Sequence, residues 1–366
     1  MSQSAGQGPR INELFAHMLS ISASDLHLKA GNPPVFRVEG QLRRSKGGPL
    51  GAEKIDALVR DWIGERRLQE AKMRGSIDVG YDFPGGRVRV VVFMQRGRLS
   101  LVARLVKSRI PNLEDLHLPP VLSRLVDLRQ GLVLLCGITG VGKSTTLACL
   151  LEMMNQKYAK HILTFEDPIE FIHEDKLSVI NQREFGLDFS SWPDAIRSGV
   201  RADPDVMLVG EMRDAETCQH ALVACETGHL VFSTMHTSSA ATTVGRMLDL
   251  FPPDRHRLIR HSLSVNLQAV ITQNLIPSYK PGVGRVPVME VLFCNAPVRK
   301  AVDEGQDMLI AELISRGEQE GMQTWTKSFV DMVNGGFIEK KIARQYAPNR
   351  AALERALKGI SLSSME

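Results

Sequence analysis

GLVLLC at 131–136 runs directly into GITGVGKSTT at 137–146, and no other stretch narrows the possible folds of this chain so far. The six apolar residues read as a strand, and residues from about Lys143 to Asn155 read as the helix that follows. Between them, Gly137, Gly142, Lys143 and Ser144 satisfy the spacing G-x-x-x-x-G-K-[ST] in full. The glycines let backbone N–H groups point inward at phosphate oxygens. Lys143 reaches the β and γ phosphates, and Ser144 holds Mg²⁺. Thr139, Gly140 and Thr145 complete the lining. The helix that starts there adds its positive N-terminal end. Strand, loop and helix in this order imply a bound phosphate group with Mg²⁺.

The remainder of the chain decides the architecture. Its 366 residues are enough for about two domains. HILTFE (161–166), DVMLVGE (205–211) and HLVFSTMH (229–236) are further apolar runs separated by polar or helical segments. Strands alternating with helices imply a parallel α/β sheet, here spanning an ATPase core at 121–296. The tail, 297–366, reads as helices. Ahead of the core, Leu14, Phe15, Met18 and Leu19 fall at helical spacing, VFRVEGQL (35–42) alternates like a strand, and 52–73 reads as a helix. RVRVVVFMQ (87–95) and LSLVARLV (99–106) read as paired strands around a QRGR turn. Residues 1–107 therefore form an α+β domain, and SRIPNLEDLHLPP (108–120), bracketed by prolines, is the linker.

Phosphoryl transfer also needs carboxylates for metal and water. Glu166 and Asp167 end one apolar run, and Gly210 and Glu211 end another. Acids at the carboxyl ends of two strands point at one crevice, where ligands bind in open α/β sheets. His229 and His236, at the two ends of the run 229–236, are both candidates for a phosphate-sensing hydrogen bond, His236 with Thr234 and Thr237 beside it, and their separation keeps them from chelating one metal. Five arginines lie on the paired strands of the first domain: Arg87, Arg89, Arg96, Arg98 and Arg104. Most read as a solvated basic face. Arg89 and Arg104 are the candidates to reach a neighbouring subunit's nucleotide, because arginine supplied in trans stabilises transition-state charge in many such enzymes.

Composition removes several classes. The net charge of +4 is a mild excess, and the 5% aromatic content supplies no basic, aromatic-bearing patch, so direct nucleic-acid binding is not expected. The five cysteines contain no C-x-x-C pair, which argues against structural zinc and fits reduced thiols in a cytosol. The polar MSQSAGQGPR start carries no apolar signal core, and no run of about 18 apolar residues occurs. Any membrane role is expected to be peripheral or through a partner.

The motifs together resemble a known family. GITGVGKSTT, ILTFEDPIEF, NQREFGLD, AIRSGVRADPDVMLVGEMRDAET and ETGHLVFSTMHTSSAATTVGRMLDLFP, in this order and spacing, are similar to the secretion ATPase superfamily, and within it to the type IV pilus retraction ATPases. SASDLHLKAGNPPVFRVEGQL resembles that family's first domain, so the likeness runs from roughly 10 to 345. The resemblance implies a PAS-like N-terminal domain and a RecA-like P-loop core with a helical C-terminal end. It implies a homohexameric ring with ATP as the nucleotide between subunits. Glu166 and Glu211 would be its two catalytic acids, one positioning water and one supporting Mg²⁺, with the division between them open; Ser144 and, partly through water, Glu211 are the metal candidates. His229 and His236 would form its histidine box, and Arg89 and Arg104 its trans arginines. The implied partners are an inner-membrane pilus platform protein and other pilus ATPases, with the chain cytoplasmic and peripheral at the inner membrane. Extension and type II secretion relatives usually carry a tetracysteine zinc module, absent here, and GEMRDAET is the retraction-type box. The family's C-terminal AIRNLIRE-like motif survives only as APVRKAVDEG (296–305), which leaves an accessory retraction ATPase open as an alternative.

Overall fold

In the computed structural model, the described residues are 10–106 and 109–359. The polar start at 1–9, the domain boundary at 107–108 and the end at 360–366 lie outside them. The chain divides into two units: one ends at Arg109 and also takes in Pro168–Ile172, and the other starts at Ile110.

The first unit is an antiparallel sheet with helices on one face. Its elements are α1 (Ile11–Ser20), β1 (Asp25–Lys29), β2 (Val35–Val38), β3 (Gln41–Arg44), α2 (Ala52–Arg74), β4 (Ser76–Phe83), β5 (Gly86–Gln95) and β6 (Arg98–Leu105). The sheet order is β3-β2-β1-β6-β5-β4. Val88, Val90 and Val92 alternate inward from β5 and pack with Phe15 and Met18 of α1 and Ile55, Val59 and Leu68 of α2. That alternation turns Arg89 to the other face, where it stands directly opposite Arg104 of β6. Arg96 (φ 50°) and Gly97 (φ 71°) are both left-handed, the backbone a two-residue hairpin needs, so the QRGR turn is built as its composition implied. The helix expected as one piece at 52–73 is broken at Gly64 (φ 79°, ψ 162°), a conformation incompatible with helix.

The second unit carries β7 (Gly131–Cys136), α3 (Lys143–Lys157), β8 (His161–Glu166), β9 (Val179–Glu184), α4 (Trp192–Gly199), β10 (Val206–Val209), α5 (Ala215–Glu226), β11 (Leu230–Met235), α6 (Ala240–Leu248) and α7 (His256–Asn266). A hairpin of β12 (Leu267–Pro277) and β13 (Arg285–Phe293) follows, then α8 (Ala296–Asp303), α9 (Ile310–Arg316), α10 (Trp325–Asn334), α11 (Lys340–Tyr346) and α12 (Arg350–Leu357). The sheet order is β13-β12-β7-β11-β10-β8-β9. Every neighbouring pair is parallel except β12 with β13. The sheet is thus mixed rather than wholly parallel: β12 carries polar residues at 272–274, which hide its strand character in the sequence.

Both faces of the central strands are covered. Leu132, Leu134 and Cys136 of β7 join the cluster under α5, α6 and α7, whereas Val133 and Leu135 join the one under α3. A strand buried on both faces is apolar nearly throughout, which is why β7 and β10 read as unbroken apolar runs and β11 is interrupted only by the buried Ser233 and Thr234. Phe232, fully buried on β11 against the α3 side, is a sensitive point. Phe232→Ala should destabilise the unit by about 3–5 kcal/mol. A urea unfolding midpoint within error of the native chain would contradict this placement.

Candidate nucleotide site

Because β7, β8, β10 and β11 run parallel, their carboxyl ends share one edge of the sheet. The loop 137–142 follows β7, His236 follows β11, Gly210 and Glu211 follow β10, and β8 ends in Glu166. The order β7-β11-β10-β8 sets these groups side by side, with Glu166 and Glu211 on neighbouring strand ends.

The loop has the backbone that its glycines permit. Gly137 (φ 139°), Gly140 (φ 83°) and Gly142 (φ 90°) all have positive φ, open at low strain chiefly to glycine. At Gly140 an added Cβ would meet no protein atom within 4 Å, so the loop is open there. At Gly137 a Cβ would come 2.4 Å from the backbone oxygen of Gln273, so no side chain fits. Helix α3 starts at Lys143, where Gly142 replaces any side-chain cap. Its first-turn N–H groups thus have no side-chain cap, which is the condition for a helix-start anion site. Lys143 curls back over the loop, its Nζ donating to the oxygens of Gly137 (2.6 Å) and Ile138 (3.2 Å). Thr139, Gly140 and Ser144 are exposed, and Thr145 is half-buried.

Glu211 is set between an arginine and a histidine. Its Oε2 lies 2.8 Å from Arg213 Nη2 and its Oε1 3.1 Å from His236 Nε2. Burial works to raise its pKa. The hydrogen bond and charge of Arg213, then the charges of His236 and Lys143, outweigh burial and hold the carboxyl below the usual range. The N-cap of α5, a bland role open to Glu211, belongs instead to Asp214, which accepts from Thr217 N at 2.8 Å. Glu166 Oε1 accepts from Thr164 Oγ1 (2.6 Å) and Gln182 Nε2 (3.0 Å). A hydroxyl and a carboxylate from Ser144 and Glu211 are hard oxygen donors of the kind Mg²⁺ takes, sparsely and with water and phosphate filling the rest. Among the described residues no group of three or more His, Cys, Asp or Glu is arranged to hold a metal ion.

His229 does not join this group within the chain. It precedes β11, so it sits at the opposite end of that strand, roughly 20 Å from His236 by the rise per residue. There its Nδ1 contacts the oxygen of Ala224 at 2.9 Å and the hydroxyl of Thr227 at 3.1 Å. Thr234 and Thr237, expected near the phosphate, spend their hydroxyls on Gly210 O (2.7 Å) and Thr243 (2.8 Å). They brace the strand ends that carry Glu211 and His236. Arg89 and Arg104 lie in the first unit, bonded to Asp78 (3.3 Å) and Asp25 (2.8 Å) respectively. Two arginines directly opposed across a sheet repel, and these two carboxylates offset that.

Three features escaped the sequence reading. Gln273 of β12, buried, touches the loop from beneath. Glu290 of β13 accepts from Ala240 N at 2.7 Å and Thr272 Oγ1 at 3.2 Å, which anchors the start of α6 just beyond His236. Burial raises the Glu290 pKa, and those two donors only partly oppose it. A carboxylate inside VPVMEVLF was a visible signal, since a charge in an apolar strand needs a partner. The third is a cavity of about 340 Å³ beside the helix start, lined among others by His117, Leu118, Thr145, Val283 and Arg285. It is within the size range of small-molecule sites.

The profile of type II/IV secretion system proteins matches residues 7–342. The chain belongs to this family. It is 42% identical over 338 residues to the type IV pilus retraction ATPase PilT of Pseudomonas aeruginosa, covering 92% of this chain and 98% of that one. It is 34% identical over 347 residues to the type IV pilus ATPase PilU of the same organism, covering 94% and 91%. Among solved structures, the crystal structure of the pilus retraction motor PilT with bound ADP superposes with a TM-score of 0.87 at 37% identity, covering 95% of this chain and all (100%) of that one. The mixed α/β fold is therefore that of a secretion ATPase. Among the described residues, no helix of this family member is long and apolar enough to cross a membrane.

Proposed function

We propose that this chain is an ATPase that works as a homohexameric ring and drives type IV pilus retraction. The observation that carries the reading is the whole-length likeness to a retraction ATPase combined with an intact phosphate loop, Glu166, Glu211 and His236 on one sheet edge. In this reading the first unit is a PAS-like domain, the sheet unit a RecA-like core at 121–296, and 297–366 its helical end. ATP places its phosphates in the 137–146 loop and its nucleoside in the neighbouring cavity. Ser144 and, through water, Glu211 hold Mg²⁺, which supplies charge neutralisation to the phosphates.

Glu166 orients the attacking water, its carboxylate held in place by Thr164 and Gln182. Lys143 and an arginine from the adjacent subunit, Arg89 or Arg104, offset charge developing on the γ-phosphoryl. His236 contacts Glu211 and sits where loss of the γ-phosphate changes its partners. His229, remote from its own chain's loop, takes part only across a subunit boundary. The resulting movement turns an inner-membrane platform protein from the cytoplasmic side and withdraws pilin from the fibre.

A trans arginine makes turnover a property of the ring. Turnover per chain should fall steeply on dilution below the assembly concentration. Dilute monomer hydrolysing ATP as fast per chain as concentrated protein would sink the trans-arginine assignment. The direction of work is tested by counting surface pili in the native host carrying Lys143→Ala. A second reading, an accessory retraction ATPase, is favoured by the departure from the family motif at 296–305. That segment forms α8, whose Arg299 donates to Ser264 O (2.7 Å) and Val265 O (2.6 Å), bracing the end of α7.

A further inference from the structure

Gln273 lies 127 residues beyond Thr146 in the chain, yet its side chain bonds on both sides of the phosphate loop's last turn. Thr146 Oγ1, in the first turn of α3, donates to its Oε1 at 2.9 Å. Its Nε2 donates to Val141 O, inside the loop, at 2.6 Å. The amide has one orientation only, because a backbone carbonyl can accept and never donate. The same residue shapes the loop in two further places. Its backbone oxygen fills the space beside Gly137, and its Nε2 lies 3.1 Å from the Cβ that Gly142 lacks.

Strand pairing explains the position. β12 runs parallel to β7 with Thr272 level with Cys136, so the next residue of β12 falls level with the start of the loop. Gln273 and Thr146 are both buried, which makes each bond costly to leave unmade. A buried glutamine bonded to a loop carbonyl and to the following helix fixes the spacing between them. That spacing sets where the loop's N–H groups point.

Resting on the ATPase reading above, we propose that Gln273 is a positioning residue that holds the phosphate loop in its nucleotide-binding shape. It touches neither phosphate nor metal and acts through Val141 and Thr146. The loop cradles the phosphates equally before and during reaction. Losing the clamp therefore weakens ATP binding and leaves the chemical step largely alone, which raises KM more than it lowers kcat. Simple packing by Gln273 makes the opposite forecast, since an unbranched side chain of equal volume would serve as well.

The test measures KM and kcat for ATP, and ADP affinity by calorimetry, on the full chain. Wild type is compared with Gln273→Met, Thr146→Val and the double variant. Gln273→Met is expected to raise KM about tenfold with kcat within about threefold, from the loss of two buried hydrogen bonds. Thr146→Val, which removes one of them, should raise KM about threefold. The double variant should be little worse than Gln273→Met, because both act on one network. A wild-type KM in the single variants, or a fall in kcat at unchanged KM, would overturn the assignment. Thermal unfolding without nucleotide checks the fold. Should Gln273→Met not fold, the size-matched Thr146→Val decides alone by the same KM criterion. A wild-type chain that neither binds ADP nor turns over ATP would overturn the motor reading itself, whereas active wild type with unmoved variants overturns only the role of Gln273.

Discussion

Lys143→Ala should reduce ATP turnover by on the order of 10²–10³-fold, about 3–4 kcal/mol of transition-state stabilisation. The lysine is the single cation of the loop itself, and alanine removes both its charge and its bonds to Gly137 O and Ile138 O. The charge developing on the γ-phosphoryl in the transition state then loses more stabilisation than the ground state does. In the native host the expected result is more surface pili with twitching lost, since pili are built and not withdrawn. Fewer or no pili would mean that the chain builds them, and the direction assigned here would be wrong. Pilus numbers near those of the unmodified host would identify the accessory reading, because a separate main motor would continue to retract.

Glu211→Gln should separate binding from chemistry. Glutamine keeps the size of the side chain and loses its charge. Arg213 and His236 then face a neutral amide, and the charge near Lys143 and the Mg²⁺ position is lost. The expected result is a fall in kcat on the order of 10²–10³-fold with ATP affinity within about threefold, since the loop that holds the phosphates is untouched. Calorimetry with ADP and steady-state turnover read the two quantities separately. Full turnover in this variant would remove Glu211 from the machinery and favour a protein that binds nucleotide as a signal.

Much of the site was legible because it is built from contiguous segments. The phosphate loop needs its glycines, lysine and serine within eight residues, and the strand before it must be apolar because it is buried on both faces. Glu166 and Glu211 were visible as acids that end apolar runs, and parallel strands bring such ends together. The order of chain and strand also separates His229 from His236: residues flanking one strand cannot share an edge. Gln273 left no comparable trace. A glutamine in ITQNL looks like any surface strand residue until the register of β12 on β7 is known.

The sequence by itself determined the α/β class, the phosphate chemistry and the resemblance to secretion ATPases, because each depends on residue types at short, fixed separations. Only the tertiary structure decided that Arg213 and His236 flank the Glu211 carboxyl, that Arg89 and Arg104 oppose each other across β5 and β6, and that β13 closes the sheet antiparallel. The contact of Glu211 with His236 and the pairing of Arg89 with Arg104 each join residues from different strands or strand ends. They are set by strand order and register, and apolar periodicity records which face of a strand is buried but not which strand lies beside it.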